Sequence, residues 1–457
     1  MLNGRSKMKM YKKRIAFLIS DQHFIPHGGI GSFCKSFVEM ADRIGWKVDV
    51  ILDKLPTGNF DEVIKSSGAN IIYPRESLKY TDHVNTFAFS DSINFEKIIN
   101  FRKALMEAFE TNLYDMIICN TQEAMSAAYA LSLNKDIPVL FYTHLHSMIF
   151  RESQGNDVFL DSYHNFYNKH MEFPDIFIAT QSEKNKHELE LYGSKYVSIL
   201  RMPLSERGLL QPNTDKRNGV LFIGRWEEGK NPEAYIKVMS ECGLPCKVMT
   251  NSNGAKKFEK AFKEANIIDY EIKAGITGQE KVDFITSAKV FFMPSLRENY
   301  PFAFYECIGH MPSVVLDTQD WSDNFVELYY HKTTLKDAAT LIKSLYESMT
   351  PESHYKTNAL KYVQSLDHDT VQSWIDFMRG YEGRKAKTNA AKINEYETVK
   401  YRDYIKELDR KQLAREDFES VLTNRYKFSI IYTDKDTYLS KDVNFVPTEE
   451  ENLFDGL

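Results

Sequence analysis

Arg225 and Lys230 stand five residues apart in Phe222-Ile223-Gly224-Arg225-Trp226-Glu227-Glu228-Gly229-Lys230-Asn231-Pro232, just after an apolar run. Two cations at the carboxyl edge of a strand can clamp a diphosphate, Arg forking onto its oxygens and Lys supplying a point charge. The same pair also suits a solvated loop. Glu298 and Glu306 stand eight apart in Pro294-Ser295-Leu296-Arg297-Glu298-Asn299-Tyr300-Pro301-Phe302-Ala303-Phe304-Tyr305-Glu306. A loop carboxylate can accept hydrogen bonds from sugar hydroxyls, and one a turn or two into a helix can hold the two hydroxyls of a ribose. As a bare pair, such acids also satisfy the preference of helix N-termini for negative charge. Gly28, Gly29 and Gly31, in Pro26-His27-Gly28-Gly29-Ile30-Gly31-Ser32, follow the first apolar run and open a helix-like stretch. Glycine lets backbone approach a ligand, and a helix N-terminus offers N–H groups to phosphate, although a tight turn also needs glycine. The spacing is not GxGxxG. His144 and His146, in Tyr142-Thr143-His144-Leu145-His146-Ser147, follow another apolar run; a lone histidine is more often structural.

These motifs need strand ends to position them. Short β-rich runs at Arg14–Ser20, Lys47–Leu52, Asp115–Cys119, Ile137–Tyr142 and Asp175–Thr180 alternate with helix-like stretches at Ser32–Ile44, Phe95–Glu110 and Gln122–Leu133. Such alternation predicts a parallel sheet covered by helices. Arg201–Asn218 is polar, holds two prolines and lacks periodicity, so it reads as a boundary. A second series follows, with strands at Gly219–Ile223, Lys247–Thr250, Val290–Met293 and Ser313–Leu316 and helices at Pro232–Cys242, Lys256–Ala265 and Gly278–Ser287. Gly380–Lys392 reads as a second linker. The expected domains are 12–203, 204–380, a charged helical extension at 381–433 and an acidic tail at 434–457.

The chain has 457 residues, enough for two domains and an extension. Its formal charge of -6 makes it a poor non-specific binder of DNA, so any nucleic-acid contact needs a local basic surface. Arg384–Lys427 carries 12 Lys/Arg against 8 Asp/Glu, a mixture that also describes a solvated helix. No apolar run approaches the ~20 residues of a membrane span, and the basic N-terminus leads directly into a first strand, so a cytoplasmic protein is expected (host cytoplasm if viral). Five scattered cysteines, without a zinc pattern, read as reduced thiols.

Taken together and in order, the motifs resemble those of the GT-B glycosyltransferases, in particular the large retaining family that includes sucrose synthases and bacterial mannosyl- and glucosyltransferases. Arg225 and Lys230 match that family's GR-x4-K diphosphate clamp, Glu298 and Glu306 its E-x7-E motif, and Gly28-Gly29-Ile30-Gly31 its N-domain glycine loop. The likeness spans residues 12–380. It implies an α/β fold with two Rossmann-like domains facing across a cleft, and transfer with retention from a nucleotide-diphosphate sugar, with UDP the expected nucleotide. Arg225, Lys230 and the backbone at Gly28, Gly29 and Gly31 would hold the diphosphate. Glu298, with Asn299 and Tyr300, would fix the sugar, Glu306 the ribose, and His144 would orient the sugar from the opposite domain. No cofactor or metal is implied, since the cations make one unnecessary. The chain departs from the family where Asn299-Tyr300-Pro301 replaces Gly-Phe-Gly, and where Met311 and Ser313 replace a glycine and a proline.

The run Y-x-H-x-H-S, with Arg151 beyond it, is similar to that of the phage α-glucosyltransferases that decorate hydroxymethylcytosine in viral DNA, which have an aspartate where this chain has Leu145. It implies an acceptor hydroxymethyl group on a modified base, with His146 and Arg151 near the acceptor. The final Glu449-Glu450-Glu451-Asn452-Leu453-Phe454-Asp455-Gly456-Leu457 looks like the terminal peptides with which phage replication proteins dock on their sliding clamp, through Leu453, Phe454 and Leu457. Two other readings stay open. One is a transferase of cell-surface polysaccharide synthesis, and the other a catalytically silent scaffold for the replication machinery.

Overall fold

The fold was described from a computed structural model. The structure describes residues 13–21, 24, 29–56, 64, 69–79, 95–121, 123–125, 127–128, 137–144, 176–191, 197–204, 217–296, 298, 300–348 and 354–388. Short apolar runs, buried on both faces, make strands, and the amphipathic stretches between them make helices. The first series gives β1 (Arg14–Leu18), α1 (Gly29–Arg43), β2 (Lys47–Ile51), β3 (Asn70–Ile72), α2 (Phe95–Thr111), β4 (Met116–Cys119), β5 (Val139–Tyr142), β6 (Ile176–Thr180), α3 (Glu183–Leu191) and β7 (Val197–Ile199). The second gives β8 (Val220–Ile223), α4 (Pro232–Cys242), β9 (Cys246–Thr250), α5 (Ser252–Glu264), β10 (Tyr270–Ala274), α6 (Gly278–Thr286), β11 (Val290–Met293), α7 (Phe302–Cys307), β12 (Ser313–Leu316), β13 (Tyr330–Thr333), α8 (Ala338–Ser348) and α9 (His354–Thr388).

The strands form two sheets, ordered β3-β2-β1-β4-β5-β6-β7 and β10-β9-β8-β11-β12-β13. Every strand pair is parallel. In both sheets the order reverses beside the first strand, between β1 and β4 in one and between β8 and β11 in the other. Loops leaving the carboxyl ends of strands at such a switch point diverge and open a crevice where ligands of open α/β sheets bind.

The chain divides into two compact units. One holds Ala41–Ile199 with the first strand, and the other holds Leu200–Asp376 with Pro26–Met40. In the second unit Phe33 and Phe37 of α1 lie against the buried Trp374 of α9, with ring centroids 6.3 and 4.9 Å away. That unit's sheet core is built from Val220, Phe222, Tyr235, Phe258, Phe292 and Val314 with their neighbours. Phe222 contacts both Tyr235 and Phe258 at 5.2 Å, so β8 is fixed by aromatic packing from α4 and α5.

Where the sequence suggests a linker from Gly380, α9 instead continues to Thr388. The Lys, Arg, Glu and Ala residues there favour helix strongly enough to carry it past Gly380 and Gly383. The remainder of the expected extension and the acidic tail, with Leu453, Phe454 and Leu457, lie outside the described residues, as does most of Gln122–Leu133.

Candidate active site

The site in the second unit begins with Gly224, the residue after β8. A Cβ there would meet Lys230 Cγ and the Phe222 ring at 3.3 Å, so the bare glycine lets the lysine stem lie against the strand end. Arg225 follows on the surface, paired with Glu227 at 3.0 Å, both half exposed. A single 3-10 turn, Glu228–Lys230, then carries Lys230, and Asn231 in the left-handed region (φ 52) turns the chain into Pro232 at the start of α4. Gly229 has positive φ nowhere and open space where a Cβ would be, so neither strain nor packing inside the chain demands a glycine there.

The loop after β11 faces this turn. Leu296 N–H donates to the Gly229 carbonyl at 2.9 Å, tying the two loops together. Glu298 comes next, and its Oε1 lies 2.5 Å from Lys230 Nζ, with side chains 9% and 26% exposed. The cation after β8 and the first carboxylate after β11 thus meet at the switch point of their sheet. The loop is held from below by Gln319, which is buried. Its Nε2 donates to the Ser295 carbonyl at 2.6 Å, and its Oε1 accepts from Trp321 Nε1 at 2.6 Å.

Pro301 caps α7 and Glu306 lies one turn in. Glu306 does not join the Lys230 pair. Its Oε1 accepts from Nζ of Lys281, on α6, at 2.7 Å. Tyr300 is buried, its ring 5.8 Å from Tyr305 and 5.9 Å from Phe325, so its side chain anchors the loop from the core. Burial pushes the hydroxyls of Tyr300 and Tyr305 and the thiol of Cys307 well above their ordinary pKa values, which keeps all three neutral. Asn299 lies outside the described residues.

In the first unit, His144 follows β5 at the carboxyl edge of its sheet. Its Nε2 lies 2.8 Å from Oδ1 of Asn120, the residue after β4, and its ring lies 5.0 Å from Tyr142. His146 and Arg151 are outside the described residues, as is Gly28. Gly29 and Gly31 open α1, and a Cβ on Gly29 would meet nothing within 4 Å.

Three residues escaped the sequence reading: Lys281, Gln319 and Asn120. Nothing local marks Lys281 or Gln319, because each reaches its partner through the tertiary fold. Asn120 could have been found from strand register, since Cys119 pairs with Phe141 and so sets the ends of β4 and β5 side by side. Among the described residues no cluster of three or more His, Cys, Asp or Glu could hold a metal ion. No helix among them is long and apolar enough to cross a membrane.

No protein-family model matches the sequence, and no curated protein is significantly similar to it. Solved structures are. Sucrose-phosphate synthase from Thermosynechococcus elongatus superposes with a TM-score of 0.63 at 15% identity, covering 82% of this chain and all of the other. Anabaena HepE in complex with UDP and glucose gives 0.57 at 12% identity, covering 80% of this chain and all of the other. WaaG, a glycosyltransferase involved in lipopolysaccharide biosynthesis, gives 0.54 at 11% identity, again over 80% of this chain and the whole of WaaG. The fold is GT-B. Within that GT-B framework, Lys230 and Glu298 occupy the switch point of the six-stranded sheet and His144 the carboxyl edge of the seven-stranded one.

Proposed function

We propose that this chain is a glycosyltransferase that moves a sugar from a nucleotide-diphosphate donor, with UDP the expected nucleotide, to an acceptor hydroxyl. The observation that carries the reading is the Lys230–Glu298 pair on two loops at one switch point. A cation and a carboxylate so arranged suit the two halves of a nucleotide sugar. On binding, Lys230 would turn to the diphosphate, and Glu298 would accept hydrogen bonds from sugar hydroxyls in place of the lysine. As the bond from the sugar's anomeric carbon to the diphosphate breaks, negative charge grows on the departing oxygen. Lys230 and Arg225 would stabilise it, an effect that is large where water is excluded. Open space beside Gly229 supports close approach of a phosphate to backbone. Glu306 would hold the ribose diol, and His144 a sugar hydroxyl. Retention is carried only by the motif resemblance.

For the acceptor, we favour the hydroxymethyl group of a modified pyrimidine in phage DNA, on the strength of the His144–His146 run and the terminal Leu453, Phe454 and Leu457, which would dock on a sliding clamp. A second reading, synthesis of cell-surface polysaccharide, is favoured by the structural likeness to WaaG and to a lipopolysaccharide outer core galactosyltransferase. The test is incubation of the protein with a panel of nucleotide sugars, and either with a lipid-linked saccharide or with DNA containing cytosine, hydroxymethylcytosine or hydroxymethyluracil, the DNA then being read by nucleoside mass spectrometry. A sugar's mass added to a hydroxymethylated base is expected. Donor turnover only with lipid-linked saccharide would select the second reading. No binding or turnover of any nucleotide sugar would reject both.

A further inference from the structure

We infer that Asn120 is a positioning residue that locks His144 in one tautomer, with the proton on Nε2 and the lone pair on Nδ1. The Leu18 carbonyl at the end of β1 fixes the Asn120 side chain. That oxygen can only accept, and it takes hydrogen bonds from both Asn120 backbone N–H, at 3.2 Å, and Asn120 Nδ2, at 2.9 Å. The amide orientation of Asn120 is thereby fixed, because only its nitrogen can face Leu18. Its Oδ1 must then be the atom 2.8 Å from His144 Nε2. A carbonyl oxygen has no proton to give, so Nε2 carries the hydrogen in the neutral ring as well as in the cation. Asn120 is itself buried, so its end of this part-buried bond is shielded from water.

The bond commits Nε2 of the ring to the protein and fixes how His144 is presented at the carboxyl edge of its sheet.

The test uses the full chain with nitrogen-15 histidine, observed at about pH 8, where an ordinary histidine is neutral. His144 resonances are identified by their loss in His144→Gln. The wild type should show Nε2 as the protonated nitrogen with no admixture of the other tautomer, and a slowly exchanging Nε2 proton. Asn120→Leu should let the Nδ1-protonated form appear and speed that exchange. A wild-type ring protonated on Nδ1 would overturn the inference even if Asn120→Leu failed to fold, and so would an Asn120→Leu spectrum identical to wild type.

Discussion

Lys230 and Glu298 are 68 residues apart in sequence, yet their charged atoms lie 2.5 Å apart where β8 and β11 end. The pair is partly buried, so each partner depends on the other for stability as well as for any chemistry.

Those two roles separate on mutation. Lys230→Ala strands a nearly buried carboxylate and should cost about 1–3 kcal/mol in urea unfolding. Lys230→Ala/Glu298→Ala removes both charges and should recover most of that loss. Turnover behaves differently: if Lys230 stabilises the leaving group as proposed, both variants should lose transfer by roughly a hundredfold or more, because the cation is gone in each. Near-normal turnover in Lys230→Ala would refute the diphosphate clamp.

Glu306 and Lys281 form the second ion pair, 2.7 Å apart. If Glu306 holds the ribose diol, Glu306→Ala should weaken UDP binding about 10- to 100-fold, the worth of one or two charge-assisted hydrogen bonds. The diagnostic comparison is with 2′-deoxy-UDP. It should bind the wild type more weakly than UDP and bind Glu306→Ala no differently from UDP, as measured by calorimetry.

Gly254, in the first turn of α5, leaves no room for a side chain. A Cβ there would lie 2.2 Å from Thr250 Oγ1, while its N–H is held by the capping Asn251 side chain at 2.7 Å. Gly254→Ala should therefore destabilise by about 1–3 kcal/mol, as overpacking does. Thr250→Ala in the same chain should return most of it, a coupling readable in a double-mutant cycle of denaturation midpoints.

The legible part of the fold was its centre. Every interior strand (β1, β2, β4, β5 and β6 in one sheet, β8, β9, β11 and β12 in the other) is a short apolar run, and the sequence shows it within a residue or two. The four that escaped, β3, β7, β10 and β13, are the edge strands. An edge strand is covered less completely and carries polar residues, as Tyr270–Ala274 and Tyr330–Thr333 do, so the continuous apolar signal is absent. The site follows the same logic. Lys230, Glu298 and Glu306 stand out because their motifs are local in sequence. Which cation meets which acid was not readable, since Lys281 lies on a helix with no motif of its own.

The thiols give a test of burial. Cys34, Cys119, Cys242, Cys246 and Cys307 are all unpaired and buried. Burial pushes the Cys242 thiol up to about 11 and the Cys246 thiol up to about 12, and raises the other three as well. At pH 8 little thiolate is present on any of them, so the native protein should resist thiol-labelling reagents and expose all five on unfolding. Rapid labelling of the folded chain at Cys242 or Cys246 would contradict this packing.

If Lys230 grips a pyrophosphate, calorimetric titration of UDP against UMP measures that grip without requiring an acceptor. Wild-type protein should bind UDP at least about tenfold more tightly than UMP, the equivalent of ~1.4 kcal/mol from the second phosphate, and Lys230→Met should erase the difference. Equal affinities in the wild type, or an unchanged preference for UDP in Lys230→Met, would contradict the account.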